Sequence, residues 1–353
     1  MTVGPLAPKL NRRRKLWLFA AAWMALTAPP TFSQATPAPT AADADTTLLL
    51  DYKAAPRANF TTAAFRFWSP AYDQPIRGIV VLTPGANGDG RKKLNDPAWR
   101  DFARKFRLAL VACFMQGPDY YDASGGTGDA LLEALTDFAR QSSHPEIALA
   151  PLLLYGESAG GQFNYDFAIW KPARVIAFVV NKGGFYSDRP PDPQAYAVPG
   201  LFFLGEKDED YRVTAITRVW TEGRRQGALW ALAPQPNSGH EFTRTAAVAQ
   251  VFFEAVLKGR LPDAATALAP MKPIRESQGW LGNLTTHEFH AAARDTRPAR
   301  DAAWLPDEAS AIAWKAFVTS DGPLPRAAPP AARTQPPSPF DLRFLSQIIG
   351  LSF

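Results

Sequence analysis

The chain has 353 residues, of which 46% are hydrophobic, and this is enough to form one large domain or two smaller ones. Its formal net charge is +5, but residues 1–35 carry five basic residues and no acid, so the rest of the chain has a net charge of 0. The charge of the rest of the chain therefore does not favour nucleic-acid binding, and no nucleic-acid partner is predicted.

Residues 1–35 have the three parts of an export signal. A cationic stretch is followed by an apolar run of 13 residues, 16–28, and then by small residues at positions 33 and 35. Because this run is short for a membrane span, we predict a cleaved signal peptide, with an uncleaved membrane anchor as the alternative. Residues 36–58 are predicted to be a linker. The mature protein is then exported, periplasmic or extracellular, with no stable membrane span.

Apolar runs and helical spacings alternate along the middle of the chain. The apolar runs predict strands over 63–70, 76–85, 108–116, 151–156, 175–181, 200–205 and 229–234. The helical spacings predict helices over 95–106, 128–142, 158–170, 212–227 and 246–259. Strands that are apolar throughout indicate a mostly parallel sheet that is covered by helices on both faces, which is an α/β fold. We assign this domain to residues 59–262, and its only cysteine, Cys113, is predicted to be a buried structural thiol.

The last part of the chain, 263–353, has a different composition. It is rich in proline and alanine, and only 306–320 has a helical pattern. We predict a C-terminal extension that packs on the main domain and does not fold independently, although a tail that binds a partner is an alternative.

One serine follows a predicted strand directly. The sequence Gly156-Glu157-Ser158-Ala159-Gly160 has the G-x-S-x-G spacing of a nucleophile elbow, in which a sharp strand-to-helix turn exposes the serine hydroxyl. The same turn places the amide N–H of Ala159 where it can hold an oxyanion. Because the motif lies between a predicted strand and a predicted helix, its context favours Ser158 as a nucleophile.

A serine nucleophile needs a base, and the chain has only four histidines. His240 lies in a loop between a predicted strand and the last helix of the main domain, and we predict that it is the base. His144 lies at a helix end and suits the surface. His287 and His290 lack the spacing of a zinc helix, so both are predicted to be solvated. No metal or cofactor is predicted.

The base in turn needs an orienting carboxylate. The sequence GEKDED, at the end of strand 200–205, supplies the candidates. Asp208 lies three residues after the glycine that ends the strand, and it is our prediction. Asp210 is the alternative. The acidic cluster could also serve only as the N-cap of the following helix, where the helix dipole favours negative charge.

The chain order is therefore serine, acid, histidine, which is the order of the α/β-hydrolases. Residues 60–260 resemble an α/β-hydrolase of the esterase, lipase and dienelactone-hydrolase superfamily, since YGESAGG, GEKD and NSGHEF are similar to its nucleophile, acid and histidine loops. Pro84-Gly85 resembles the loop after the first parallel strand of secreted cutinase-like and polyester-cleaving esterases. By that resemblance Ala86 supplies the second oxyanion N–H, with Asn87 as the alternative.

The resemblance implies a secreted serine hydrolase that cleaves small-molecule or polymer-borne carboxylic esters through an acyl-enzyme. A serine peptidase on the same fold and a non-catalytic binding protein with an α/β-hydrolase fold are the alternatives. Four aromatic residues after strand ends could line the substrate pocket or simply pack: Tyr120, Tyr121, Phe185 and Tyr186.

Overall fold

A computed structural model of the protein describes residues 47–186, 191–261, 270–322 and 324. The predicted signal peptide, the first part of the predicted linker and most of the proline-rich tail lie outside the described residues. Within the described ranges, no helix combines the length and the apolar character that crossing a membrane would require.

Eight strands form the main sheet. They are β1 (Thr47–Lys53), β2 (Thr62–Pro70), β3 (Ile79–Thr83), β4 (Ala109–Gln116), β5 (Leu152–Glu157), β6 (Val175–Asn181), β7 (Gly200–Gly205) and β8 (Trp230–Gln235). Their order across the sheet is β1-β2-β4-β3-β5-β6-β7-β8. The pairs β1–β2 and β2–β4 are antiparallel, and every other neighbouring pair is parallel.

Among the described residues, six α-helices accompany the sheet: α1 (Pro97–Phe106), α2 (Thr127–Gln141), α3 (Ala159–Trp170), α4 (Asp210–Arg225), α5 (Thr245–Arg260) and α6 (Glu308–Val318). The start of α1 is fixed by two residues of its own sequence. The Asp96 carboxylate accepts a hydrogen bond from the Ala98 N–H at 2.8 Å, and Pro97 needs no partner for its nitrogen.

The parallel strands are buried on both faces, so successive side chains enter two different cores. Val81 belongs to the first core, which also contains residues of α2, α3 and α4, whereas its neighbour Val80 belongs to the second core, which contains residues of α1, α5 and α6. A sheet covered on both faces explains why these strands are apolar throughout. The mostly parallel sheet with helices on both faces confirms the predicted α/β-hydrolase fold.

The sheet begins earlier than the sequence indicated. Strand β1 lies inside the segment 36–58 that was predicted to be a linker, and it pairs with β2 along its whole length. Its residues alternate between exposed and half-buried, so β1 lacks the continuous apolar run of the central strands. That pattern is typical of a strand at the edge of a sheet.

The segment after residue 270 contains the predicted helix, as α6, and a second sheet that the sequence did not predict. A second, three-stranded sheet is formed by β9 (Trp280–Gly282), β10 (Phe289–Ala291) and β11 (Ala303–Leu305). Strand β11 and helix α6 contact β8, and α6 also packs on α5. The fully buried Trp314 of α6 donates its indole N–H to the Leu232 carbonyl at 2.7 Å. This part of the extension therefore shares the second core of the main domain.

Candidate active site

Ser158 stands at the junction of β5 and α3 with a backbone conformation that is unusual for a residue with a side chain. Its φ is 49° and its ψ is −118°. A Cβ on Gly156 would lie 2.2 Å from the Gly160 carbonyl oxygen, and one on Gly160 would lie 2.3 Å from the Thr83 carbonyl oxygen. The two glycines therefore allow the strand, the helix and the end of β3 to approach each other, which is the geometry of a nucleophile elbow.

Buried polar contacts hold this turn in place. The Ser158 N–H donates to the Asn181 carbonyl at 2.7 Å. The Asn164 side chain accepts a hydrogen bond from the Thr83 hydroxyl at 3.1 Å and donates to the Val179 carbonyl at 3.2 Å. Since these contacts reach β3 and β6 on either side of β5, a strained serine is fixed by its surroundings.

The structure brings the three predicted residues into one hydrogen-bonded row. His240 Nε2 lies 3.0 Å from Ser158 Oγ, and His240 Nδ1 lies 2.8 Å from Asp208 Oδ2. The Asp208 side chain is 3% exposed, whereas that of His240 is 36% exposed. A buried acid, a partly exposed imidazole and a hydroxyl at hydrogen-bonding distances have the geometry of a Ser-His-Asp triad.

The structure separates the two candidate acids. The second oxygen of Asp208, Oδ1, accepts a hydrogen bond from the Glu209 N–H at 2.8 Å and lies 3.5 Å from the Arg212 Nε. Asp210, in contrast, is the exposed first residue of α4. Asp208 is thus the carboxylate beside the imidazole, and Asp210 lies where an acid suits a helix N-terminus.

A tight turn follows β3 and faces the serine. The Gly88 N–H donates to the Gly85 carbonyl at 3.0 Å, and Asn87 has a φ of 59°. A Cβ on Gly85 would lie 3.5 Å from the Ser158 Cβ, so the turn passes directly beside the nucleophile. Gly85 of this turn and the first residue of α3, Ala159, therefore flank Ser158.

The other histidines stand apart from this row. His144 is partly buried and lies 2.9 Å from a Glu146 oxygen, so its predicted surface position is only partly right. His290 lies 2.8 Å from an Asp295 oxygen, and His287 packs its ring near Trp314. In the part of the chain that the structure describes, no group of three metal-ligating side chains is close enough to hold an ion.

The one cysteine is buried, as predicted. Burial raises the pKa of the Cys113 thiol to about 12, so the thiolate that would react as a nucleophile is not formed at neutral pH. Cys113 is therefore a packing residue.

A cavity of about 390 Å³ opens near the first turn of α3. One of its lining residues, Gln162, follows Ser158 by one helical turn. Its other lining residues include three aromatics and three carboxylates: Tyr121, Phe185, Tyr186, Asp119, Asp122 and Asp166. Tyr120 does not line it and is buried. Phe185 is exposed and stacks on the ring of Tyr211, with the ring centroids 5.3 Å apart.

Two charged residues near the triad were missed by the sequence analysis. Arg212 stands beside Asp208, and its position four residues later, in the first turn of the following helix α4, could have suggested this. Lys182 is fully buried directly after β6 and contacts the loop that carries His240. A lysine at the end of a wholly apolar strand was the available signal, but its partners lie more than 50 residues away in the chain.

No protein-family model matches the sequence, and neither does any curated protein. Solved structures do resemble it at low identity. The poly(3-hydroxybutyrate) depolymerase LpqC from Bordetella parapertussis is 20% identical, with 63% of this chain and 93% of that chain covered and a TM-score of 0.43. The S-formylglutathione hydrolase FrmB from Staphylococcus aureus is 13% identical over 60% of this chain and 97% of that chain, with a TM-score of 0.43. The esterase from the archaeon Pyrobaculum calidifontis is 13% identical over 60% and 85%, again with a TM-score of 0.43.

The fold assignment rests on the chain's own strand order and on the turn after β5. The serine, acid and histidine that meet at the rim occur in the chain order of one class of fold. This chain has the α/β-hydrolase fold.

Proposed function

We propose that the protein is a serine hydrolase that cleaves carboxylic esters through an acyl-enzyme. The observation that carries the proposal is the pair of hydrogen bonds that join Ser158 Oγ to His240 Nε2 at 3.0 Å and His240 Nδ1 to Asp208 Oδ2 at 2.8 Å. A nucleophile within reach of a base, with the base oriented by a third group, is the arrangement that acyl transfer needs.

The proposed reaction has two halves. In the first, His240 removes the proton of the Ser158 hydroxyl as its oxygen attacks the ester carbonyl, and then gives that proton to the leaving alcohol. In the second, His240 removes a proton from water as the water oxygen attacks the acyl carbon, and then gives that proton to the Ser158 oxygen as the bond to the acyl group breaks and the acid leaves. Asp208 keeps the imidazole in the required tautomer and stabilises its cationic form. This chemistry needs no metal and no organic cofactor.

The oxyanion of the tetrahedral intermediate is proposed to bind the N–H groups of Ala159 and Ala86. Each such donor typically contributes about 3 kcal/mol to transition-state stabilisation. Ala86 is favoured over Asn87 because it directly follows Pro84-Gly85, the position that supplies the second donor in the esterase loops that this turn resembles. The Gly88 N–H donates to the Gly85 carbonyl and closes the turn, so it is not proposed as an oxyanion donor.

The proposed substrates are small-molecule or polymer-borne esters with an apolar or aromatic part. Phe185 is 57% exposed and Tyr211 is 41% exposed, and the two rings stack close to the segment that carries Asp208. Exposed aromatics at the rim of a site offer apolar area at little cost in side-chain entropy. With the predicted signal peptide, the enzyme would meet such esters outside the cytoplasm.

Hydrolysis of a series of p-nitrophenyl esters by the wild type and by Ser158→Ala tests this function. We expect turnover by the wild type, with a preference within the series, and a loss of about 10⁴-fold or more in kcat for the variant. Equal activity of the two proteins would overturn the nucleophile assignment. A wild type that binds esters without turnover would instead favour the non-catalytic alternative.

A serine peptidase is the second candidate, and one observation favours it. The cavity beside α3, which Gln162 lines, is also lined by the carboxylates of Asp119, Asp122 and Asp166, which would attract a substrate amine. Aminoacyl p-nitroanilides with a free amine test this candidate against neutral p-nitrophenyl esters. Faster acylation by the anilides, lost in Asp166→Asn, would favour the peptidase, whereas hydrolysis of the neutral esters alone would exclude it.

A further inference from the structure

One buried lysine joins the end of β6 to the loop that carries His240. This histidine loop, residues 236–244, connects β8 to α5. Lys182 has no exposed surface, and its Nζ donates hydrogen bonds to the Ser238 Oγ at 2.7 Å, the Gly239 carbonyl at 2.8 Å and the Glu241 carbonyl at 2.5 Å. The two carbonyls belong to the residues on either side of His240.

Lys182 makes as many hydrogen bonds as its ammonium group can donate. A charged lysine has three N–H donors, and all three are used on one loop. Burying an ammonium group is unfavourable unless hydrogen bonds and opposite charges replace its water. The negative charges that face Lys182 are those of Glu241 and Asp208. Three hydrogen bonds and two opposite charges therefore compensate the burial of the Lys182 ammonium group.

The backbone around Lys182 is fixed as well. Its φ is 57°, in the left-handed region, and its N–H donates to the Phe203 carbonyl of β7 at 3.1 Å. The preceding residue, Asn181, accepts the hydrogen bond from the Ser158 N–H at 2.7 Å. The ammonium group thus reaches the histidine loop from a strand end whose neighbouring residue contacts the nucleophile.

We propose that Lys182 is a positioning residue that holds the imidazole of His240 within hydrogen-bonding distance of both Ser158 and Asp208. The proposal rests on the proposed esterase function. Lys182 does not touch the reacting atoms, and it acts by fixing the carbonyls of Gly239 and Glu241. Since a displacement of about 1 Å in a catalytic group can cost about 10²-fold in rate, a loop held on both sides of the base has a direct effect on turnover.

The charge state of Lys182 supplies a pH-dependent readout. Burial lowers the pKa of Lys182 to about 8, against the opposite effect of the Glu241 and Asp208 charges. Above that pH the neutral amine keeps two donors for three acceptors, so one bond to the histidine loop is lost. We therefore expect kcat/KM of the wild type to fall as the pH rises above about 8.

The test compares Lys182→Met with Arg260→Met in p-nitrophenyl ester hydrolysis. Arg260 is a matched control because it is also a buried cation that donates to carbonyls of β6, Val175 at 2.9 Å and Ile176 at 2.7 Å, at the opposite end of that strand. For protein shown to be folded by circular dichroism, we expect about a 10²-fold loss in kcat/KM for Lys182→Met and no fall above pH 8. Arg260→Met keeps the wild-type kcat/KM and pH profile.

A milder variant and a double mutant keep the proposal testable if Lys182→Met does not fold. Ser238→Ala removes one of the three acceptors and should lower kcat/KM about tenfold, roughly what the loss of one charged hydrogen bond costs. In a His240→Ala background, Ser238→Ala should have no further effect on the residual activity. Wild-type rates in folded Lys182→Met or Ser238→Ala, or equal losses with and without His240, would overturn the positioning role. Full activity of His240→Ala alone would instead refute the proposed function.

Discussion

At the scale of single residues, two aspartates two positions apart have different surroundings. Asp208 has a side chain that is 3% exposed and bonds to His240, whereas Asp210 is exposed at the start of α4. The difference arises because α4 begins immediately after Asp208 and Glu209, which leaves Asp208 in the turn and turns Asp210 to solvent.

This contrast gives a paired test of the acid. We expect Asp208→Asn to lower kcat for p-nitrophenyl esters by about 10³- to 10⁴-fold, because the amide no longer holds the imidazole in the tautomer that accepts the serine proton. Asp210→Asn is the matched control and should change kcat by less than about twofold. Steady-state kinetics of the two variants decide the point, and a larger loss in Asp210→Asn would transfer the role to that residue.

The proposed oxyanion donor, the Ala86 N–H, can be removed with little change to the backbone. The turn Gly85–Gly88 is closed by a hydrogen bond and has a positive φ at its third residue, Asn87, as in a type II turn. Proline is favoured at the second position of such a turn, so Ala86→Pro should fold and lose only the N–H. We expect kcat to fall about 10²- to 10³-fold with KM nearly unchanged.

Ala86→Ser keeps the N–H and serves as the control for that substitution. It should retain kcat within a few-fold of the wild type in the same assay. A proline variant as active as the serine variant would exclude the Ala86 N–H from the oxyanion site.

At the scale of elements, the turn between β5 and α3 depends on close backbone contact. A Cβ on Gly160 would lie 2.3 Å from the Thr83 carbonyl oxygen and 2.5 Å from that of Pro84. Because backbone atoms cannot move aside as a flexible side chain can, we expect Gly160→Ala to lower the free energy of unfolding by about 3 kcal/mol and to impair turnover. Urea unfolding measures the first effect and ester hydrolysis the second.

A glycine in another helix provides the comparison. Gly259 lies in α5, where an added Cβ would first meet the end of the Ile274 side chain at 3.3 Å. Alanine is the better helix former by about 1 kcal/mol, so Gly259→Ala should leave stability unchanged or slightly higher. Equal losses in the free energy of unfolding of Gly160→Ala and Gly259→Ala would mean that the close backbone contact at Gly160 is not the cause of the effect.

The elements that the sequence predicted are those with a strong internal pattern. Strands β3 to β8 are apolar throughout and α2 has a clear buried stripe, so their type follows from composition and period. In the sequence of β1, apolar and polar residues alternate only weakly. Strands β9, β10 and β11 have three residues each, too few to show a period. These strands are defined by pairing partners elsewhere in the chain, which a single sequence does not reveal.

At the scale of the whole molecule, the segment after residue 270 is part of the second core. Trp314 is fully buried in this core, where α6 packs on α5 and β8. We expect Trp314→Ala to lower the free energy of unfolding by about 3–5 kcal/mol, the usual cost of removing a buried aromatic side chain. Ile312, which is 50% exposed on the same helix, is the control, and its replacement by alanine should cost less than about 1 kcal/mol.

Intrinsic fluorescence and circular dichroism follow this unfolding with different probes. Coincident transitions in both variants would indicate that α6 and the main sheet unfold together. A separate early transition that Trp314→Ala alone removes would mean that the extension is an independent unit.

The candidate site shows the same division between what a sequence reveals and what it does not. Ser158, Asp208 and His240 were predictable because each follows a strand end, and strand ends of a parallel sheet converge at one rim. Lys182 and Arg212 were not, since their partners depend on how the loops beyond those ends pack. Local patterns thus identify the residues in the row, while their supporting contacts need the folded chain.

The proposed function requires that the Ser158 hydroxyl is activated to attack an acyl carbon. The most direct measurement is the mass of the intact protein, and of its peptides, after treatment with a fluorophosphonate at neutral pH. We expect one stoichiometric adduct on the peptide that contains Ser158, formed by the wild type and absent in Ser158→Ala, with labelling strongly slowed in His240→Ala. An unlabelled wild type, or an adduct that persists in Ser158→Ala, would contradict the account.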